Sequence, residues 1–389
     1  MKIITLKENL KKGLDIVEKI TGKNFTLPIL NNVLISTEAN LLNLATTDLE
    51  MGIKYWVLAK IEKQGKITIP AKFLSIFVNF LPNEKIILDV KNNVLHIECK
   101  NQKAQIKGQD IEEFPIIPKI ENKKFLEINI TPFYEGISQV INFTSPSQTR
   151  VELSGIYFNF QKNQLKITST DSFRLAEKTL YFKNKLDSDL IPEQGYSFIL
   201  PLKTSRELLN IFSEKDSDVV RKMDSKKIRI YFSSNQVLFE ILFPEITKPQ
   251  IQLISRLIEG DYPNYQEIIP KKYETRAILD KNEFLNKIKT ASLFSGKVNE
   301  VKLKTVPEKK QLEISSQSAD LGENKSVIPC KITGNEIKVS FNWKFLIEGL
   351  VNIKSSEVIF EINKEDGPSV LKPVGDESYL YVVMPIKST

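Results

Sequence analysis

Histidine and cysteine are nearly missing from this chain of 389 residues: His96 is its one imidazole, and Cys99 and Cys330 are its two thiols. Two cysteines so far apart argue against a disulfide framework, and without several histidines they cannot supply a zinc site. His96 lies in the strand-like NVLHIEC with no carboxylate or nucleophile pattern beside it, so it reads as a strand residue rather than a catalyst. No apolar run reaches the roughly 18 residues that a membrane span requires. The opening MKIITLKENLKKGL lacks the uninterrupted apolar core of a signal peptide, so a cytoplasmic location without membrane attachment is expected. Nucleotide-binding and hydrolase signatures are absent too. SGKVNE (295–300) has a Gly-Lys pair, but Ala291 stands where a P-loop needs its first glycine and Val298 where it needs Ser or Thr. There is no G-x-S-x-G elbow, H-E-x-x-H motif or dinucleotide fingerprint. No cofactor and no metal are therefore expected.

The chain does have an ordinary globular balance, with 41% hydrophobic and 26% charged residues, and its length suggests two or three domains. The formal net charge of +7 permits an anionic partner such as nucleic acid. It is modest for this length, and richness in Lys, Ile and Asn throughout gives a plain solvated surface equal standing.

Self-similarity is the strongest internal signal. LLNLATTDLEMGI (41–53), QLKITSTDSFRLA (164–176) and QLEISSQSADLGE (311–323) share alternating apolar residues followed by small polar ones, the pattern of a half-buried strand entering a turn. IPAKFLSIFVNFLP (69–82), LPLKTSRELLNIFS (200–213) and FNWKFLIEGLVNIK (341–354) read as a recurring amphipathic helix, with Pro70, Pro201 and Asn342 at its start. Another helix opens each unit at 5–22, 131–145 and 280–296, with Thr5, Thr131 and Asp280 as N-caps and Gly22 and Gly296 as stops. The closing motifs QDIEEFPIIP (109–118) and IEGDYPNYQEIIP (258–270) mark boundaries, giving domains at 1–120, 121–271 and 272–389. Helix starts lie 131 and 141 residues apart, too far for a solenoid, so each copy is a domain with its own core. Strand-rich stretches at 85–100 and 227–243, with two helices per copy, make the fold class α+β with helices on one face of antiparallel sheets.

Ser169, Thr170, Asp171, Ser172 and Arg174 crowd into six positions and invite a catalytic reading, an enzyme acting on a nucleotide or other anion through Thr170, Asp171 and Arg174. Thr170-Asp171 recurs as Thr47-Asp48 where a strand must end, and a structural turn is the preferred reading. SFRL (172–175) then remains distinctive, since the first copy has LEMG there.

FTLPILNNVLI (25–35), LATTDLEM (44–51), ELSGIYF (152–158), ITSTDSFRLA (167–176), EGDYPNYQEIIP (259–270) and YVVMPIK (381–387) resemble, in order and across all three copies, the bacterial DNA polymerase III beta subunit family, the sliding clamps. The resemblance implies a processivity factor rather than an enzyme: a ring of two head-to-tail subunits, six similar domains with sheets outside, and twelve helices around duplex DNA. Its DNA contacts would be sequence-independent. The implied DNA-facing residues are Lys12, Lys19, Lys23, Asn24, Lys72, Ser147, Lys203 and Arg206. On 201–212, Lys203, Arg206 and Asn210 share one stripe, while Leu202, Leu209 and Phe212 form another suited to the sheet.

A pocket for short peptides of the polymerase III catalytic subunit, the clamp loader and other replication and repair proteins is implied at Arg150, Leu153, Thr170, Ser172, Phe173, Arg174, Leu175, Pro263, Ile268, Asn342, Phe345, Ser369, Val382, Met384, Pro385 and Ile386. Phe173 stands where relatives commonly carry His, which implies a more apolar pocket. At the homodimer seam, Ala104 and Ile106 are expected to face Leu293 and Phe294. The stretch 181–197 reads as a long loop of no assigned role.

Overall fold

The computed structural model describes residues 1–22, 26–120, 124–147, 149–182, 191–213, 227–244 and 248–386. Lys23 and Asn24, two of the implied DNA contacts, and residues 183–190 of the long loop lie outside the described residues. Within them the repeated helices form as α1 (Lys7–Val17), α2 (Ala71–Phe80), α3 (Ile130–Val140), α4 (Leu202–Phe212), α5 (Lys281–Ser292) and α6 (Trp343–Val351). The repeated strands form as Leu41–Thr47, Gln164–Thr170 and Gln311–Ser318. The stretches at 85–100 and 227–243 are each a hairpin, and His96 is a half-buried residue of strand Val94–Cys99, paired in register with Asp89 and Gln105.

Contacts divide the chain into two compact units, Met1–Tyr134 with Lys203–Leu257, and Glu135–Leu202 with Ile258–Thr389. The first holds a 12-stranded antiparallel sheet organised by the 13-residue strand Met51–Lys63. Near its start this strand pairs with Leu41–Thr47 on one side and Pro249–Arg256 on the other; near its end it pairs with Lys2–Leu6. Leu10, Leu14, Ile16 and Val17 bury one face of α1, and a Cβ at Gly13 would sit 2.8 Å from Leu44 and Tyr55, so glycine lets the helix settle onto the sheet. Strand Gln102–Lys107 ends this sheet and has a single strand neighbour.

The second unit holds a 9-stranded sheet and a 4-stranded sheet. Strand Arg174–Tyr181 lies inside the larger one, between Gln164–Thr170 and Tyr379–Val383. The smaller one runs Gly322–Pro329, Gln311–Ser318, Glu300–Val306, Lys338–Asn342, so Gly322–Pro329 is again an end strand. Asp280 caps α5 by accepting a bond from Glu283 N at 2.7 Å, and Asn342 caps α6 by accepting from Lys344 N at 3.0 Å, as their positions before helical runs imply.

Other cap assignments are corrected. Thr5 belongs to a strand, its Oγ1 donating to Leu58 O at 2.9 Å, and α1 starts after Leu6 without a side-chain cap. Thr131 lies inside α3 rather than before it. Gly22 and Gly296 lie beyond their helices, which end at Val17 and Ser292.

Gly349 in α6 faces the ring of buried Tyr381, whose hydroxyl donates to Phe345 O at 2.9 Å. A methyl group there would overlap the ring. Gly349→Ala is expected to lower unfolding stability by about 1–3 kcal/mol through overpacking. Gly22→Ala, with nothing near its Cβ, should stay within about 0.5 kcal/mol of the parent; urea unfolding followed by circular dichroism measures both.

Candidate functional site

The turn after strand Gln164–Thr170 is built by its first two side chains. Thr170 Oγ1 donates to Arg174 O at 2.7 Å and accepts from Ser172 N at 3.1 Å. Asp171 Oδ1 accepts from Phe173 N and Arg174 N, both at 3.0 Å, and Oδ2 accepts from Arg174 Nε at 3.0 Å. Ser172 is left-handed, with φ of 77°. The first copy repeats the arrangement. Thr47 Oγ1 donates to Met51 O at 2.8 Å and accepts from Leu49 N at 3.1 Å; Asp48 Oδ1 accepts from Glu50 N at 3.1 Å and Met51 N at 2.8 Å; Leu49 has φ of 77°. Both carboxylates therefore hold backbone N–H groups. Asp48 also accepts from Lys203 Nζ.

The strands that follow are docked alike. Gly52 pairs with Ile254 and Lys54 with Gln252 in one junction; Leu175 pairs with Val382 and Glu177 with Leu380 in the other. A backbone N–H closes each turn from the neighbouring strand: Arg256 N donates to Glu50 O and Met384 N to Phe173 O, both at 2.9 Å.

Around the second turn the structure gathers several of the implied peptide-site residues. Arg150 Nη1 donates to Ser172 Oγ at 3.2 Å, and its Nε pairs with Glu152 at 3.1 Å. Phe173 is 62% exposed, with its ring 6.4 Å from that of Phe345. Arg174 is largely buried, its guanidinium 4.5 Å from the Phe345 ring centre and 5.2 Å from that of Phe143, and it pairs with Glu348 as well as Asp171. Burial works against its charge, but Tyr381, Glu348 and Asp171 outweigh that and raise its pKa. Arg174 is thus a positioning residue fastened from several sides. Asn342 begins α6 just before Phe345; Met384, Pro385 and Ile386 follow the last strand half-buried, with Ile386 N donating to Ser340 O at 2.8 Å.

On the face of strand Arg174–Tyr181 opposite Arg174, Leu175 and Val382 pack with Tyr265 and Val370, flanked by Tyr157 and Tyr262, whose rings stack 4.6 Å apart. Pro263 O accepts from Tyr265 N at 2.7 Å, and Ile268, the last residue of the short 3-10 helix Tyr265–Ile268, is exposed. Tyr265 OH donates to Glu177, which also pairs with Lys166 at 3.1 Å; burial, reinforced by Glu177, pushes this phenol's pKa far up. Leu153, Thr170, Leu175 and Val382, also among the implied peptide-site residues, are buried. Ser369, also among the implied peptide-site residues, has no exposed surface and lies within the sheet, paired with Val383.

Sequence reasoning missed Glu348, Phe143 and Tyr381 as supports of Arg174. None is near it in the chain. The tyrosines at 262 and 265 stood within a quoted motif, but nothing local showed their stacking.

Of the implied DNA-facing residues, Lys12, Lys19, Lys72 and Arg206 are exposed, Lys203 is exposed but held by Asp48, and Ser147 is half-buried with its Oγ 2.8 Å from Thr149 Oγ1. The buried stripe of α4 is Thr204, Ser205, Leu208, Ile211 and Phe212, so the sheet-facing assignment of Leu202 and Leu209 is corrected; both are only half-buried. Of the residues expected at a homodimer seam, Leu293 is 69% exposed, Phe294 and Ala104 are half-buried, and Ile106 is buried within its own unit.

One turn, one register and one kind of linker used at two junctions define a protein of tandem structural repeats. Family models of the DNA polymerase III beta subunit match it end to end: the N-terminal domain at residues 1–118, the central domain at 127–264 and the C-terminal domain at 266–387. The chain belongs to the DNA polymerase III beta subunit family, with that family's three clamp domains. It is 26% identical over 391 residues to the beta sliding clamp of Synechococcus elongatus, spanning 100% of this chain and 99% of that protein. To the Staphylococcus aureus beta sliding clamp it is 28% identical over 382 residues, 95% of each. The DNA polymerase sliding clamp of Bacillus subtilis superposes with a TM-score of 0.89 at 26% identity, and a putative DNA polymerase III beta subunit of Eubacterium rectale with 0.88 at 26%; each comparison covers 100% of both chains.

Asp171→Ala removes the acceptor of two backbone N–H bonds and one guanidinium bond, and should cost about 2–4 kcal/mol; Asp171→Asn, which keeps an acceptor oxygen, should cost roughly half as much. Asp48→Ala should behave similarly in the first turn. Denaturant titration of the three variants reads this directly, and an unchanged midpoint in Asp171→Ala would contradict the structural role of the carboxylate.

Proposed function

We propose that this protein is the processivity factor of a replicative DNA polymerase, acting by tethering rather than by catalysis. Two copies join head to tail around duplex DNA, and the surface beside the Thr170–Arg174 turn docks short peptides of the polymerase III catalytic subunit, the clamp loader and other replication and repair proteins. The observation that carries this reading is that two of the sheet ends, strand Gln102–Lys107 in one unit and strand Gly322–Pro329 in the other, have a single strand neighbour and lie in the first and third repeats, each beside exposed apolar side chains. A bare strand edge is an invitation to pair, and a head-to-tail contact between two copies closes one of each kind at both seams.

Exposed apolar side chains support the same contact. Phe73, Ile76 and Phe80 form an outward stripe on α2 at 57%, 57% and 81% exposure, and Leu293, Val298, Leu321 and Val327 are exposed in the third repeat. Such a stripe on a helix that already buries Leu74 and Val78 behind it suits a second copy. Lys12, Lys19, Lys72 and Arg206 offer cations for phosphate contacts that carry no sequence information. Lys203 is already neutralised by Asp48.

Beside the second turn, exposed Phe173 is tied through its backbone to half-buried Met384, an adaptable apolar group able to fit more than one peptide side chain, and Val151 and Ile268 are exposed as well. Asp171 has both oxygens engaged within its turn, as expected of a scaffold residue and not of a free acid or base.

Loaded by the clamp loader and ATP, the protein should stay on nicked circular DNA at least about tenfold longer than on the same DNA linearised; equal retention sinks the proposal. Ile76→Asp, which places a charge in the α2 stripe, should bring retention on circles down to the linear value. Phe173→Ser should weaken capture of a labelled clamp-binding segment of the polymerase about tenfold at an unchanged unfolding midpoint, measured by fluorescence anisotropy.

A further inference from the structure

The first junction repeats the turn and register of the second but carries different side chains, and a cavity of about 280 Å³ opens there. Gly52 stands where the second junction has Leu175, and Lys54 stands where it has buried Glu177. Glu177 is satisfied by Tyr265 and Lys166. Lys54, half-buried, has no ion pair or hydrogen-bond partner for its ammonium group among the described residues. Burial, helped by Lys119, pulls its pKa down while Glu38 opposes this. Glu38 itself accepts a bond from Trp56 Nε1 at 2.9 Å.

Glu38, Lys54 and Lys119 thus leave one net positive charge on the cavity, and its walls are the apolar surfaces of Trp56, Ile117, Ile120 and Ile254. Ile117 comes from the linker Ile-Ile-Pro run that corresponds to Ile268-Ile269-Pro270 of the second junction. A smaller recess of about 20 Å³ lies beside the Thr47–Met51 turn and shares Gly52, Pro118 and Ile254 as walls with it.

We infer that this junction is a second docking pocket, taking a segment of a partner protein in which an aliphatic side chain is followed by carboxylates. The aliphatic group enters between Ile117, Ile254 and Trp56, and a carboxylate pairs with Lys54, with Lys119 at the rim. The volume admits one or two side chains rather than a drug-sized molecule, which favours a peptide anchor over a small metabolite. A carboxylate on Lys54 supplies the partner that a half-buried cation otherwise lacks. This inference does not depend on peptide docking at Phe173.

Trp56 reports on the site directly, and Trp343→Phe leaves it the sole indole of the full-length chain. In that background, Ac-Gly-Leu-Asp-Asp-NH2 should produce a saturable change in Trp56 emission. Ac-Gly-Leu-Asn-Asn-NH2 should bind at least about tenfold more weakly, as should the Asp peptide to Lys54→Gln. Lys119→Gln, an exposed loop change without consequence for folding, should weaken binding in the same direction. Phe173→Ser should leave the titration unchanged. Three results overturn the inference: no saturable change into the millimolar range, equal response to the Asn peptide, or loss of the response in Phe173→Ser with retention in both lysine variants.

Discussion

Antiparallel register carried from one repeat into the next is the constraint on which the rest depends. Strand Met51–Lys63 is hydrogen-bonded to Pro249–Arg256, and Arg174–Tyr181 to Tyr379–Val383, so each junction is continuous sheet and not a flexible linker. Because side chains alternate between faces, a slip of one residue would carry Leu175 and Glu177 away from Tyr265 to the face now held by Arg174, and Arg174 onto the face they left. The backbone bonds from Arg256 and Met384 to the turns pin the register at its end. Backbone bonds ask nothing of the side chains involved, which is how Gly52 and Leu175 can occupy the same position.

The two junctions treat buried charge in opposite ways. At the second, Glu177 is wrapped by a phenol and an ammonium group, and the space is filled by Leu175 and three tyrosines. At the first, Ile117 packs against Gly52, and the cavity beside the cation of Lys54 leaves space and charge together. A satisfied carboxylate rigidifies its surroundings, whereas an unsatisfied cation favours whatever can complete its shell.

Much of this was legible because it is local. Thr170-Asp171 and Thr47-Asp48 announce their turns because the bonds that shape those turns reach no further than four residues along the chain. The repeat, the α+β class and the caps at Asp280 and Asn342 follow from the same short-range chemistry. The face of α4 was misread for a physical reason: Thr204 and Ser205 are buried, with Thr204 Oγ1 lying 2.7 Å from Ser255 Oγ, so a stripe counted from apolar residues alone has the wrong phase. Thr5 has the chemistry of a cap but is claimed by Leu58 O, 53 residues away. The setting of Arg174 was hidden for the same reason, since Glu348 is 174 positions distant and reaches it only through the folded sheet.

The left-handed residue at each turn, Leu49 or Ser172, has a further meaning. Its conformation is imposed by the threonine and aspartate before it, and neither it nor its successor contributes to the core. The apex is therefore a variable position on an invariant mount. Leu49-Glu50 at one junction and Ser172-Phe173 at the other are different labels on the same socket, and mutation can rewrite the label without reopening the question of whether the chain folds.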